Sequence, residues 1–377
     1  MESSGVNLFP DLAAIWPRIA CLGEKAEEAE KTDKPLPPLK WPEPQTSDLN
    51  LNRSHCKDAS SLMLTRSSDY VVNLNMARRT LGKLRSPSAA AAINLKLPAN
   101  DEITSRQLIS ALEEIDVSAL KDSGVPAIAV FDFDNTLMRG DIFLSFSAYV
   151  AKERGYPPTS RAAVARELAK RAGDNLSKVE LRRLDTNSMV ERAFALKEMG
   201  KLKTSDVHFV CCAALRDLPV SRAHKLAQQM FELGAKPYKN NAFDPSDGPG
   251  DSARDIITTL RNRGVEVYVL SAGLTFLVEL GSAFFGIDPE HVFAADAEVR
   301  NGVFTGTVPD VFGIGKDTMV RNLIGCPPLF AFGDSPVTDI LMMQQSLVRG
   351  FMIEPSAEFV AHVKERGENH LPVYFAA

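Results

Sequence analysis

AIAVFDFDNTLMRGD, residues 127–141, begins as a strand and ends as a loop. The run AIAVF is short, apolar and β-branched, the pattern of a strand buried on both faces in a parallel sheet. Side chains alternate along a strand, so Asp132 and Asp134 project to the same side. Two carboxylates that close repel each other, and folding alone gives no reason to place them there. The pair implies something positive or reactive between them.

Working outward, the chain before this stretch carries a helix signal. TSRQLISALEEI has a capping-box pattern, with Thr104 as cap and Gln107 three residues on. Leu108, Ile109, Leu112 and Ile115 then share one helical face. Beyond the stretch, residues 142 to about 236 read as helical, and KPYKNNAFDPSDGPGDS reads as a loop. After it, helices alternate with the apolar runs VEVYVL, LFAF and LVRGFMI, while HVFAADAEVRNGVFTGTV reads as a hairpin turning at Asn301-Gly302. Strand and helix in alternation predict an α/β fold, a Rossmann-like three-layer parallel sheet covered on both faces, and the helical block inserted after the first strand reads as a second lobe. The expected division is a core opening at 101–141, a cap at 142–240 and the rest of the core at 241–377.

Residues 1–100 differ in kind. Seven prolines fall between Pro10 and Pro44, and Ser, Thr and Asn dominate the next thirty residues. Such a stretch buries too little apolar surface to offset its ordering entropy, so it reads as a disordered or regulatory N-terminal extension with no identified partner. The net charge of −5 gives no support for a nucleic-acid footprint. No run of eighteen apolar residues predicts a transmembrane segment, and the N-terminus lacks a secretory pattern. The cysteines, at 21, 56, 211, 212 and 326, form neither a disulfide framework nor a zinc motif. A reducing, cytoplasmic setting is expected. His208 and His224 stand alone in helical patterns and read as structural or exposed, and Cys211-Cys212 reads as part of a buried helix face.

In open parallel sheets ligands bind at the carboxyl ends of the strands. Three strands here end in polar residues: Asp132 and Asp134, then Ser271, Ala272 and Gly273, then Gly333, Asp334 and Ser335 with Asp339 further on. Lys316 opens the helix before the third. That inventory suits phosphoryl transfer. Carboxylates can hold Mg²⁺, which bridges to phosphate oxygens, and Lys316 with Ser271 can meet the remaining charge. One carboxylate can attack phosphorus, and the other can protonate the leaving alcohol and then activate water.

Asp-x-Asp-x-Thr, Ser-Ala-Gly, Lys316 and Gly-Asp-x-x-x-x-Asp, in this order, resemble the four motifs of the haloacid dehalogenase superfamily, over about residues 125–370. Within it, the sequence looks like the phosphoserine phosphatase-like branch, with an inserted α-helical cap between the first and second motifs. The resemblance implies a Mg²⁺-dependent phosphatase acting on a small phosphomonoester. Asp132 would be the nucleophile, and Asp134 the acid/base and a backbone metal ligand. Thr136 would orient the loop, Ser271, Ala272 and Lys316 would hold phosphate, and Asp334 would bind metal. Asp339 would support the metal site from beside it or join it. Asp134 argues for hydrolysis, since members that displace halide lack an acid there. Asp141 would either contact a cationic substrate group, as in phosphoserine-, phosphocholine- or histidinol-phosphate-like substrates, or cap the following helix. A phosphotransferase or mutase, a lipid-headgroup phosphatase and a degenerate interaction module are the alternatives.

Overall fold

The computed structural model describes residues 102–122, 124–232, 253–307, 315–320, 324–366 and 370–374. The expectations for residues 1–100 and for the 236–252 loop fall outside the described residues. The strands are β1 (Ile103–Thr104), β2 (Ile128–Phe131), β3 (Glu266–Leu274), β4 (Val292–Ala295), β5 (Val299–Arg300), β6 (Val303–Phe304), β7 (Phe330–Gly333), β8 (Arg349–Ile353) and β9 (His370–Tyr374). The longer helices are α1 (Ser105–Glu113), α2 (Val117–Asp122), α3 (Ile142–Lys152), α4 (Arg161–Ala172), α5 (Lys178–Arg183), α6 (Thr186–Glu198) and α7 (Thr204–Ala214). They continue with α8 (Val220–Glu232), α9 (Ala253–Asn262), α10 (Thr275–Ala283), α11 (Lys316–Met319), α12 (Ile340–Met343) and α13 (Ala357–Glu365).

Two compact units result. In the larger, seven strands form one parallel sheet in the order β1-β9-β8-β7-β2-β3-β4. From β2 the chain steps to β3 and β4 on one side, then returns to β7, β8 and β9 on the other. That is the doubly wound order, and its reversal falls between β2 and β7, where such sheets open a crevice beyond the strand ends. The fold is thus an α/β Rossmann-like sheet with flanking helices.

Every residue of β2 is buried, as the apolar run AIAVF requires. One face of the sheet carries Val130, Leu270, Ala331 and Met352 and is packed by Met319, Ile340, Met343, Phe359 and Val363 from α11, α12 and α13. In register on the neighbouring positions, Phe131 stacks on Phe332 at 4.1 Å and Phe332 on Phe351 at 5.0 Å. Each such ring is worth about 1.5–3 kcal/mol in burial, so this ladder anchors the strands that carry the polar ends. The capping box forms: Gln107 N–H donates to Thr104 Oγ1, and Thr104 N–H donates to Gln107 Oε1 at 2.8 Å.

Phe133, between the two aspartates, is fully buried against Gly281 of α10. A Cβ at Gly281 would lie 2.3 Å from the Phe133 ring. Gly281→Ala should therefore cost about 1–3 kcal/mol as an overpacking change. A denaturation midpoint equal to that of the wild type would refute this close fit.

Among the described residues, the smaller unit groups the helices between 143 and 232 with residues 296–307. Helices α4, α6 and α7 pack on one another, and Leu168, Val190, Ala193, Val210 and Cys211 on them are fully buried, with Cys212 buried beside Cys211 as expected. Arg171 pairs with Glu167 and with Asp206 at 3.0 Å and lies 3.7 Å over the Phe209 ring. β5 and β6 form a hairpin around Asn301 (φ 52°) and Gly302 (φ 75°), two positive φ values that suit an Asn-Gly type I′ turn. Residues 217–220 tie this hairpin to the helices: Asp217 N–H donates to Phe304 O, and Phe304 N–H to Leu218 O. The expected hairpin differs at its start, because VFAA, residues 292–295, forms β4 and pairs parallel with β3 at the sheet edge. No helix among the described residues is long and apolar enough to cross a membrane.

Candidate active site

The register sets the order of groups at the strand ends. Phe131 pairs with Phe332 on one side and Val269 on the other, and Asp132 N–H donates to Phe332 O at 2.9 Å. Asp132 thus leaves β2 beside the end of β7, at the reversal of strand order. Gly333 closes β7, and Asp334 follows it. On the other flank β3 runs on past VEVYVL to Leu274, with an irregularity between Leu270 and Leu274. The Ser271-Ala272-Gly273 segment sits in that irregularity, the kind of bulge that re-aims side chains. Ser271 is fully buried, and its Oγ accepts the Gly273 N–H at 2.9 Å.

Lys316, at the start of α11, is buried between two carboxylates. Its ammonium pairs with Asp132 Oδ1 and, at 2.5 Å, with Asp339 Oδ1. Asp339 is fully enclosed and engaged on both oxygens. Oδ2 accepts the N–H groups of Asp334 and Ser335 at 3.0 Å each, and Oδ1 also accepts the Thr338 hydroxyl at 3.0 Å. Asp339 therefore fixes both the lysine and the loop that presents Asp334. Thr136 Oγ1 makes a long 3.5 Å contact to Asp132 Oδ2, and Phe133 N–H donates to Asp132 Oδ1 at 2.6 Å. Asp134 is half-buried, and its Oδ1 accepts the Ile142 N–H at 2.7 Å. Asp141, also half-buried, immediately precedes α3 and lies close enough to act on Asp134 electrostatically.

The charges do not balance inside this site. Burial, then the charges of Asp339 and Asp334, push the Asp132 carboxyl well above the usual range, against the pull of Lys316. Burial, then Asp141 and Asp132, push Asp134 up as well. Burial, with Asp339 beside it, raises Asp334 to about 7. Asp339 goes the other way: burial opposes ionisation, but Lys316 and its hydrogen-bond donors hold it below the usual range. Burial acts against the Lys316 ammonium, yet Asp132 and Asp339 raise its pKa overall.

Carboxylate oxygens of Asp132, Asp334 and Asp339 lie within 4.8 Å of one another. Hard oxygen donors with surplus negative charge fit a divalent cation such as Mg²⁺. Since both Asp339 oxygens already serve Lys316, Thr338 and two amides, the fit is best at Asp132 and Asp334. Two contributors carry no signal in the motif spacing: Thr338, which holds Asp339, and Gly281, which admits Phe133. His208 stacks near Phe143 at 5.9 Å, and burial lowers the pKa of His224.

The protein-family model for haloacid dehalogenase-like hydrolases matches residues 129–344. No curated protein matches the chain. Among solved structures, a phospho-aspartyl intermediate analogue of a phosphoserine phosphatase is 20% identical, covering 66% of this chain and 93% of its own, with TM-score 0.37. A protein of unknown function from Bordetella pertussis Tohama I is 17% identical, covering 65% and 98%, with TM-score 0.43. A functionally unknown protein from Anaerococcus prevotii DSM 20548 is 14% identical, covering 74% and 94%, with TM-score 0.48. The family match spans more than half of the chain and runs from β2, through Asp132, to α12: the chain is a member of the haloacid dehalogenase-like hydrolases.

Proposed function

We propose that this hydrolase is a Mg²⁺-dependent phosphatase that cleaves a small phosphomonoester through a phospho-aspartyl intermediate on Asp132. The observation that carries the reading is Lys316 buried between Asp132 and Asp339, with Asp334 beside them at the reversal of strand order. Asp132 attacks phosphorus as the bond to the leaving oxygen breaks. Asp134, disposed by burial to keep its proton, gives it to the departing alcohol. It then takes a proton from water, whose oxygen attacks phosphorus and releases the Asp132 carboxylate with inorganic phosphate. Lys316 and the Ser271 region balance the phosphate charge, and Thr136 steadies Asp132. Mg²⁺, when bound, would neutralise charge between carboxylate and phosphate, held by Asp132, Asp334 and the backbone carbonyl of Asp134, with Asp339 positioning its neighbours.

Asp141 is the residue that supports a substrate class, in place of a role as cap of the following helix. A carboxylate this near Asp134 suits a substrate with a positive group, such as a phosphoserine-, phosphocholine- or histidinol-phosphate-like ester. A reducing, cytoplasmic setting accords with Cys211, Cys212 and Cys326, which are buried and, among the described residues, in no disulfide. A panel of metabolite phosphates, assayed with Mg²⁺, tests the reading. Asp134→Asn should lower kcat by roughly 10²–10⁴-fold on the best substrate while leaving the circular dichroism spectrum unchanged. Asp141→Asn should lower kcat/KM selectively for cationic substrates. An inert wild type across the panel would sink the phosphatase reading, and equal losses on all substrates would remove Asp141 from recognition.

A further inference from the structure

Between Asp134 and the start of α3 lie seven residues, 135–141, and how they are held decides where the Ile142 N–H points. That N–H is the donor to Asp134 Oδ1, at 2.7 Å. The first turn of the loop is tied back to Phe133, just beyond β2, since Leu137 and Met138 N–H groups both donate to Phe133 O at 2.9 Å. The rest is closed by one residue. Asn135 N–H donates to Gly140 O at 3.2 Å, and Gly140 N–H donates to Asn135 Oδ1 at 2.9 Å. Asn135 sits in the left-handed region at φ 59°, which Asn tolerates better than other non-glycine residues. Its side chain is exposed, so it contributes to no core.

We propose that Asn135 is a positioning residue, whose carboxamide clasps Gly140 and thereby holds the Ile142 N–H against the Asp134 carboxylate. Gly140 is two residues before Ile142, so fixing one fixes the other within the reach of a single hydrogen bond. The clasp has two separable parts: the backbone conformation, which glycine also adopts, and the side-chain acceptor, which aspartate also supplies. Asn135 touches no reacting group. It acts through Asp134, and that consequence rests on the phosphatase reading above, whereas the clasp itself does not.

Two measurements on the full-length protein test it. By amide hydrogen exchange, Asn135→Ala and Asn135→Gly should each speed exchange at Ile142 by about tenfold, the scale of one hydrogen bond of ordinary net strength. Asn135→Asp should stay near the wild type. Unchanged protection of Ile142 in the alanine and glycine variants overturns the clasp, whatever the enzyme's activity. In kinetics, Asn135→Ala should lower kcat on an alkyl phosphate by about ten- to a hundred-fold with KM little changed, the usual scale for a misplaced catalytic group. The loss on 4-nitrophenyl phosphate should be smaller, because that leaving group needs less help from an acid, and Asn135→Asp should restore both. Equal losses on the two substrates would overturn the link to Asp134. A wild type inert on both would refute the phosphatase reading, and the exchange measurement would still decide the clasp.

Discussion

Replacing Asp132 by asparagine should abolish turnover, with kcat on an aryl phosphate falling by on the order of 10⁴-fold or more. The amide is a poor nucleophile and a poor metal ligand, so attack on phosphorus and the cation site fail together. EDTA should silence the wild type in the same assay, and added Mg²⁺ should restore it, whereas no metal should rescue Asp132→Asn. Stability should not follow activity. The Asp132 carboxyl has a raised pKa in the folded protein, chiefly because it is buried. A group raised in this way is stabilising only below its unfolded pKa and costs stability once both states are ionised. At neutral pH in EDTA the asparagine variant should therefore be no less stable than the wild type. Retained activity in Asp132→Asn would refute the nucleophile, and metal-independent turnover would refute the cation.

The parts of this fold that were legible in the sequence are those buried on both faces. β2, β3, β7 and β8 read as apolar runs because a central parallel strand meets helices above and below. β9 was not legible. HLPVY contains a proline, which argues against a central strand, and it is accommodated here because its outer neighbour β1 is only two residues long. In the sequence β4 reads as a hairpin arm, since four residues beside a strong Asn-Gly turn carry no mark of which strand they will join. The grouping of residues 296–307 with helices more than sixty residues earlier leaves no local trace either. At the site, spacing brought out Asp132, Asp134, Lys316, Asp334 and Asp339 because each follows or opens a regular element. What spacing could not convey is that Asp339 is saturated by Lys316, Thr338 and two amides, a matter of three-dimensional contact alone.

That contact makes Lys316 the residue whose loss should be felt most in folding. The lysine is 7% exposed, and the carboxylates of Asp132 and Asp339 beside it are 6% and 0% exposed. Lys316→Met keeps the length of the side chain and removes the charge, leaving buried carboxylates without their cation. Breaking a buried ion pair in this way costs about 3–5 kcal/mol, because the stranded charge keeps its desolvation penalty. Chemical denaturation in EDTA should report that loss at neutral pH. The pH dependence has a defined sign. Asp339 is lowered from 3.8, so its contribution is present above that value and lost as pH falls through the folded value. Lys316 is raised from 10.5, so its contribution is present below that value and lost only above it. The pair therefore works across the range between, and the deficit of Lys316→Met should shrink on acidification as the stranded carboxylates take up protons. Adding Asp339→Asn to Lys316→Met should recover part of the loss, since it removes one of the charges the lysine was balancing. If Lys316→Met unfolds at the wild-type midpoint, or if the second substitution only adds to the damage, Lys316 is not the cation that holds these carboxylates in place.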